Sequence, residues 1–186
     1  VLSPTYAKCQ IFTLLPIFAF SEIKLFTNFS HKCHGLPLFT IFSGSDLAYF
    51  SRNSISCFLS RNSSGSMIAV SSIAGAVYGW PEHAHYTTAK AGLLGLVRSL
   101  AIELAPRGIT VNSVVPGIIE SPQSLDPVNS LGPEGLKMIS GSIPAGRVGT
   151  PDDVASLIDF LASSKATYIS GQAIIVDGAY TVRLPV

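Results

Sequence analysis

Tyr86 and Lys90 stand four residues apart in a stretch with helical patterning, so both fall on one face about one turn apart, and the ammonium can lie against the phenol. A phenol titrates near pH 10, at about 10 in model peptides, and a cation held beside it favours the phenolate. That brings the group toward a range useful for proton transfer near neutrality. A hydroxyl from Ser72, upstream, could share a substrate oxygen with the phenol.

Tyr-x-x-x-Lys alone occurs in many unrelated helices, and its surroundings narrow its meaning. The apolar run Met67–Ser72 ends in Ser-Ser before it, and Val111–Gly117, Gly146–Asp153 and Tyr168–Gly178 follow it. With these motifs in this order, the chain resembles the short-chain dehydrogenase/reductase family over about residues 65–186, a stretch that corresponds to the C-terminal half of a typical member. The resemblance implies an α/β fold, a Rossmann-like doubly wound parallel sheet that is incomplete at its N-terminal side. It also implies an NAD(P)-dependent oxidoreductase that interconverts a secondary alcohol and a ketone, similar to 3-oxoacyl-acyl-carrier-protein reductases and sugar dehydrogenases.

The resemblance assigns roles residue by residue. Tyr86 would be the proton donor and acceptor, Ser72 would hydrogen-bond the reacting oxygen, and Lys90 would lower the tyrosine pKa and hold the nicotinamide ribose. Pro116 and Gly117 would bring backbone close to the nicotinamide, the main chain at Ile119 would meet its carboxamide, and Ser121 stands where the family has threonine. NAD and NADP both stay open, because the residue that selects between them falls after the family's second strand. The substrate would be a small carbonyl or alcohol compound, and the helix carrying Tyr86 would also pack against a second subunit.

The elements that must position these groups can be read in turn. Met67–Ser71 reads as a buried parallel strand with Ser72 at its carboxyl end, where open α/β sheets bind ligands. Ala74–His85 reads as a loop turned by Gly75, Gly79 and Pro81, with Trp80, His83 and His85 either near the pocket or packing the loop. A helix over about 85–105 carries Ala89, Leu93, Leu96, Val97, Leu100 and Leu104 in one stripe, and Pro106 stops it. Ile109–Val115 is the next strand, and Pro122–Ser142 is a Ser-, Pro- and Gly-rich lid. Thr150-Pro151-Asp152-Asp153 starts a helix running to about 163, and Gly171–Gly178 contains the closing strand.

Composition bounds the rest. With 186 residues, 47% hydrophobic and 12% charged, the chain has enough apolar mass for a domain core. Its net charge of +1 offers no basic stripe for nucleic acid. Its three cysteines, Cys9, Cys33 and Cys57, have neither zinc spacing nor an even count for a disulfide framework, so a reducing, cytoplasmic setting is expected. The apolar runs Ile11–Phe20 and Leu36–Phe42 are shorter than the roughly 20 residues a membrane helix needs.

A break falls near residue 64. Nine of the 10 phenylalanines precede it, with only Phe160 beyond, whereas only Gly35 and Gly44 of the 16 glycines lie on the early side. Residues 1–64 carry no Thr-Gly-x-x-x-Gly-x-Gly turn to let backbone amides approach a pyrophosphate, and no asparagine there has the setting of the family's further catalytic residue. The segment reads as a divergent or incorrect replacement for the family's first half. Two functions follow, an oxidoreductase or a catalytically inactive half-domain that associates with an intact homologue.

Overall fold

The computed structural model describes residues 38–43 as a backbone strand, together with residues 64–128 and 130–183. The remainder of the first 64 residues, including Cys9, Cys33 and Cys57, lies outside the described residues. Four parallel strands form one sheet in sequence order: β1 (Leu38–Ser43), β2 (Gly65–Val70), β3 (Ile109–Pro116) and β4 (Ala173–Val176). β1 pairs with β2 from Leu38 opposite Gly65 to Ser43 opposite Val70, so a strand of the sheet arises within the segment that carries no recognisable motif.

Among the described residues, three helices longer than a single turn connect β2, β3 and β4: α1 (Ala84–Leu104) between β2 and β3, then α2 (Gly132–Ser140) and α3 (Pro151–Ala162) between β3 and β4. Strand alternation divides the core between two faces. Met67, Ala69, Ile109 and Val111 pack with Leu93, Val97, Leu100, Ala101 and Leu104 of α1. Ile68 and Val114 point the other way and pack with Ile158 and Leu161 of α3. Both faces are therefore covered, as the near-continuous apolar strands predict.

The two crossovers have opposite hand. Each steps the same way across the sheet between parallel strands, yet α1 and α3 lie on opposite faces. One of them is thus the left-handed form, against the right-handed geometry found in about 98% of such connections. Asn112 helps hold the β3–β4 side together. It is fully buried, donates from Nδ2 to the Ile169 carbonyl at 2.7 Å and accepts from the Gln172 amide at 3.1 Å.

Element boundaries follow local chemistry. α1 ends at Leu104 and passes through a 3-10 turn over Ala105–Arg107, with Gly108 left-handed at φ 67°. α3 begins with a reciprocal cap between Thr150 and Asp153, with Pro151 in its first turn. The Arg147 guanidinium makes a two-pronged ion pair with Asp153, at 2.8 and 2.9 Å. Those bonds first, then those from the Thr150 amide and hydroxyl, hold the Asp153 carboxyl well below the usual carboxylate range. The segment expected as a lid is partly helical, since α2 forms inside it and buries Leu136.

Candidate active site

The inward stripe of α1 explains where Tyr86 and Lys90 sit. Lys90, Leu93, Val97, Leu100, Ala101 and Leu104 are its buried positions, at three- and four-residue spacing. The leucines hold the helix on the sheet, and Lys90 continues the same stripe to the carboxyl end of β2. There its Nζ donates to the Val70 carbonyl at 2.8 Å and stands 5.6 Å from the centre of the Tyr86 ring. The two residues share a face, as the four-residue spacing requires.

Ser71 and Ser72 divide the two tasks available at the strand end. Ser71 is buried, and its Oγ donates to the Lys90 backbone carbonyl at 2.8 Å, which pins β2 to α1. Ser72 is only partly buried and its Oγ accepts from the Ala74 amide at 3.2 Å. A hydroxyl that accepts there keeps its O–H for donation. The single turn Ile73–Ala76 that Ser72 caps lies hard against α1. A Cβ on Gly75 would sit 2.6 Å from the Thr87 carbonyl and 2.9 Å from the Ala91 amide, and Gly75 has φ +101°. Only glycine permits that approach, and the approach brings Ser72 to the end of α1 that carries Tyr86 and Lys90.

Beyond the turn, Trp80 stacks on His83 with ring centres 4.0 Å apart and stands edge-on to Tyr86 at 5.7 Å. His83 Nδ1 bonds the Pro81 carbonyl at 2.9 Å, and because a carbonyl only accepts, that nitrogen carries the proton. His83 and His85 are also stacked, with ring centres 6.1 Å apart.

The end of β3 supplies the second wall. Pro116 is the last residue of the strand and pairs with Val176. The close approach at Gly117 is made by β4's own chain, since an added Cβ would lie 2.6 Å from the Asp177 Cβ. Ile119 bridges Gly149 in parallel, through Gly149 N to Ile118 O at 2.9 Å and Glu120 N to Gly149 O at 2.8 Å. In that pattern the N–H and C=O of Ile119 itself point away from Gly149. A donor and an acceptor at one residue are what a primary carboxamide pairs with, so the backbone here fits a nicotinamide. The Ser121 hydroxyl is turned into a local loop, where it accepts from the Ser124 amide at 3.2 Å while the Ser121 amide donates to Ser124 Oγ at 2.8 Å.

A family model described as Enoyl-(Acyl carrier protein) reductase matches residues 46–181, a span containing Ser72, Tyr86 and Lys90 and covering well over half of the chain. The chain belongs to the short-chain dehydrogenase/reductase family. The match begins ahead of residue 65, where the recognisable motifs start. Among short-chain dehydrogenase/reductase relatives, the 3-oxoacyl-[acyl-carrier-protein] reductase FabG of Rickettsia bellii is 45% identical over 117 residues, 63% of this chain and 46% of that protein. An L-rhamnose 1-dehydrogenase (NAD(P)(+)) of Azotobacter vinelandii is 44% identical over 120 residues, 64% of this chain and 46% of its own length. The chain thus spans about half the length of the curated relatives it matches. A Beutenbergia cavernae structure, described as that of a candidate NAD(P) dependent gluconate 5-dehydrogenase with NADP bound at low occupancy, superposes with a TM-score of 0.66 at 31% identity, covering 75% of this chain and 55% of that one.

No helix among the described residues is long and apolar enough to cross a membrane. Three contributors at this site carried no sequence signal of their own: Ser71 as the β2–α1 pin, the close contact of Gly75, and Asp177 beside Gly117. Each depends on a contact between distant parts of the chain. Only the positive φ of Gly75 could have been suspected, from a glycine just after Ser72.

Proposed function

We propose that the chain is the catalytic part of an NAD(P)-dependent oxidoreductase that interconverts a secondary alcohol and a ketone on a small substrate. The observation that supports this reading is that Lys90, seated on the Val70 carbonyl at the carboxyl end of β2, stands 5.6 Å from the centre of the Tyr86 ring, while Ser72 caps the turn that packs on the same helix. Bound NAD(P)H would supply the hydride. Tyr86 would deliver the proton to the carbonyl oxygen as charge builds on it, and Ser72 would donate a hydrogen bond to the same oxygen. Lys90 would favour the phenolate through its charge and take a ribose hydroxyl, while the outward N–H and C=O of Ile119 would hold the carboxamide. The names of the FabG and rhamnose dehydrogenase relatives favour a 3-oxoacyl or sugar-like substrate. The exposed outer face of α1 would meet a second copy.

Turnover of 3-oxoacyl esters and aldonic or sugar substrates by the wild type and a Tyr86→Phe variant tests this. Loss of the acid should cost about 10²–10⁴ in kcat, with little change in NAD(P)H affinity. Undiminished turnover by Tyr86→Phe contradicts the assignment. The second reading, an inactive half-domain acting through association with an intact homologue, draws on two facts: the chain spans about half the length of its curated relatives, and its 186 residues carry no Thr-Gly-x-x-x-Gly-x-Gly turn. A folded chain that binds neither dinucleotide and co-elutes with an intact relative favours that reading.

A further inference from the structure

After β4 the chain turns back toward the loop that follows Ser72. The turn is built on Asp177, whose carboxylate accepts from the Ala179 amide at 2.9 Å, the Thr181 amide at 2.8 Å and the Thr181 hydroxyl at 2.6 Å. Gly178 O accepts from Ala145 N at 3.2 Å, and the Arg183 guanidinium donates to the Ser142 carbonyl, so the turn is tied to the end of the α2 region. Arg183 also lies over the Tyr180 ring at 4.9 Å. Facing it across a cleft of about 440 Å³ are Val77 and Tyr78.

The chemistry of this cleft is one-sided. Val77, Tyr78, Tyr180, Thr181 and Arg183 line it, and none of them is acidic. The nearby carboxylate, Asp177, has its oxygens engaged by three donors within its own turn. Burial first, and then the neighbouring Tyr180, Tyr86 and Asp177, push the Tyr78 phenol above its ordinary value. At neutral pH it is a hydrogen-bond donor. One guanidinium with a fork of five N–H groups, a donating phenol and a second aromatic ring suit an anionic oxygen cluster.

We propose that this cleft recognises an anionic group, a phosphate or a carboxylate, borne by the carbonyl substrate, with Arg183 as the specificity-determining cation and Tyr78 and Tyr180 as its walls. The proposal rests on the reading of Tyr86 as proton donor, since Tyr78 belongs to the loop that joins Ser72 to Tyr86. It assigns substrate selection to two segments, one before α1 and one after β4, that line the cleft together.

Trp80 is the sole tryptophan of the chain, two residues beyond Tyr78 and edge-on to the Tyr86 ring, so its fluorescence serves as the readout of binding beside Tyr78. The 186-residue chain is titrated with dihydroxyacetone phosphate and 4-oxopentanoate, and with their uncharged counterparts dihydroxyacetone and methyl 4-oxopentanoate. At least one anion should bind about tenfold or more tightly than its neutral counterpart, as a charge-assisted contact implies. A preference for one anion alone names the group. Arg183→Gln should abolish the preference and Arg183→Lys should retain part of it, with Tyr86→Phe leaving it intact. Equal affinity for charged and neutral ligands, a preference that survives Arg183→Gln, or no saturable change with any of the four overturns the proposal. Turnover that persists in Tyr86→Phe while the anion preference holds would instead overturn the assigned reaction and leave this site standing.

Discussion

Replacing Gly75 with alanine loads the close contact that packs the turn after Ser72 on α1, the helix that carries Tyr86 and Lys90. The new Cβ would come within 2.6 Å of the Thr87 carbonyl, 2.9 Å of the Ala91 amide and 3.3 Å of the Lys90 Cβ. The first two are backbone atoms of a packed helix, so rotamer change cannot relieve them. Overpacking of this kind costs about 1–3 kcal/mol. Forcing a side chain into a backbone at φ +101° adds about 1–2 kcal/mol. The sum, about 2–5 kcal/mol, is a large part of the roughly 5–15 kcal/mol that holds a domain folded. With a urea m-value of about 2 kcal/mol/M, the midpoint should fall by about 1–2.5 M. Gly79 lies in the same loop with nothing within 4 Å of its added Cβ, so Gly79→Ala is the matched control and should shift by less than about 0.5 kcal/mol. Equilibrium urea unfolding of the three proteins measures both. If Gly75→Ala unfolds at the same midpoint as the control, the packing of the turn on α1 is not what places Ser72.

Further expectations concern the supports of the site. Asn112→Ala removes two part-buried bonds, to the Ile169 carbonyl and from the Gln172 amide, so it should cost about 1–3 kcal/mol by urea unfolding. Ser71→Ala removes the pin to the Lys90 carbonyl and should cost about 1 kcal/mol; if Ser71 is purely a pin, the variant retains dinucleotide affinity in a fluorescence titration. Asp153 has a folded value below its unfolded value of about 3.9, so its stabilisation is present above that pH and is lost as acid drives the pH down through the lower folded value. Thermal melts from pH 6 to pH 2 should show a decline below about pH 4 that is shallower in Asp153→Asn, and 1 M salt should reduce the difference at pH 6 because the pair is exposed.

The parts of the site that sequence makes legible are those set by short spacing. Tyr86 and Lys90 share a face because of the helix repeat, Thr150 and Asp153 form their cap three residues apart, and the short continuous apolar run Met67 to Val70 already places a strand whose end carries Ser72. What stays hidden depends on distance along the chain. Gly117 reads as room for a flat ligand, but its close neighbour is Asp177, which β4 delivers. Ser71 and Ser72 are indistinguishable as letters, and only the position of α1 sends one to a backbone carbonyl and leaves the other on the turn. β1 sits in a stretch with no sustained periodicity, so its pairing with β2 is a property of the sheet and not of its own pattern. The cleft between Tyr78 and Arg183 joins the loop after β2 to the turn after β4, and no local rule relates them.

Tyr86, Lys90 and Ile119 are proposed to face a bound nicotinamide, and titration of the chain with NADPH and NADH, following nicotinamide fluorescence, tests this directly. Saturable enhancement with at least one dinucleotide is predicted for the wild type, retained in Tyr86→Phe and weakened in Lys90→Met. A folded chain that binds neither dinucleotide, or a Lys90→Met variant that binds as tightly as the wild type, contradicts the account.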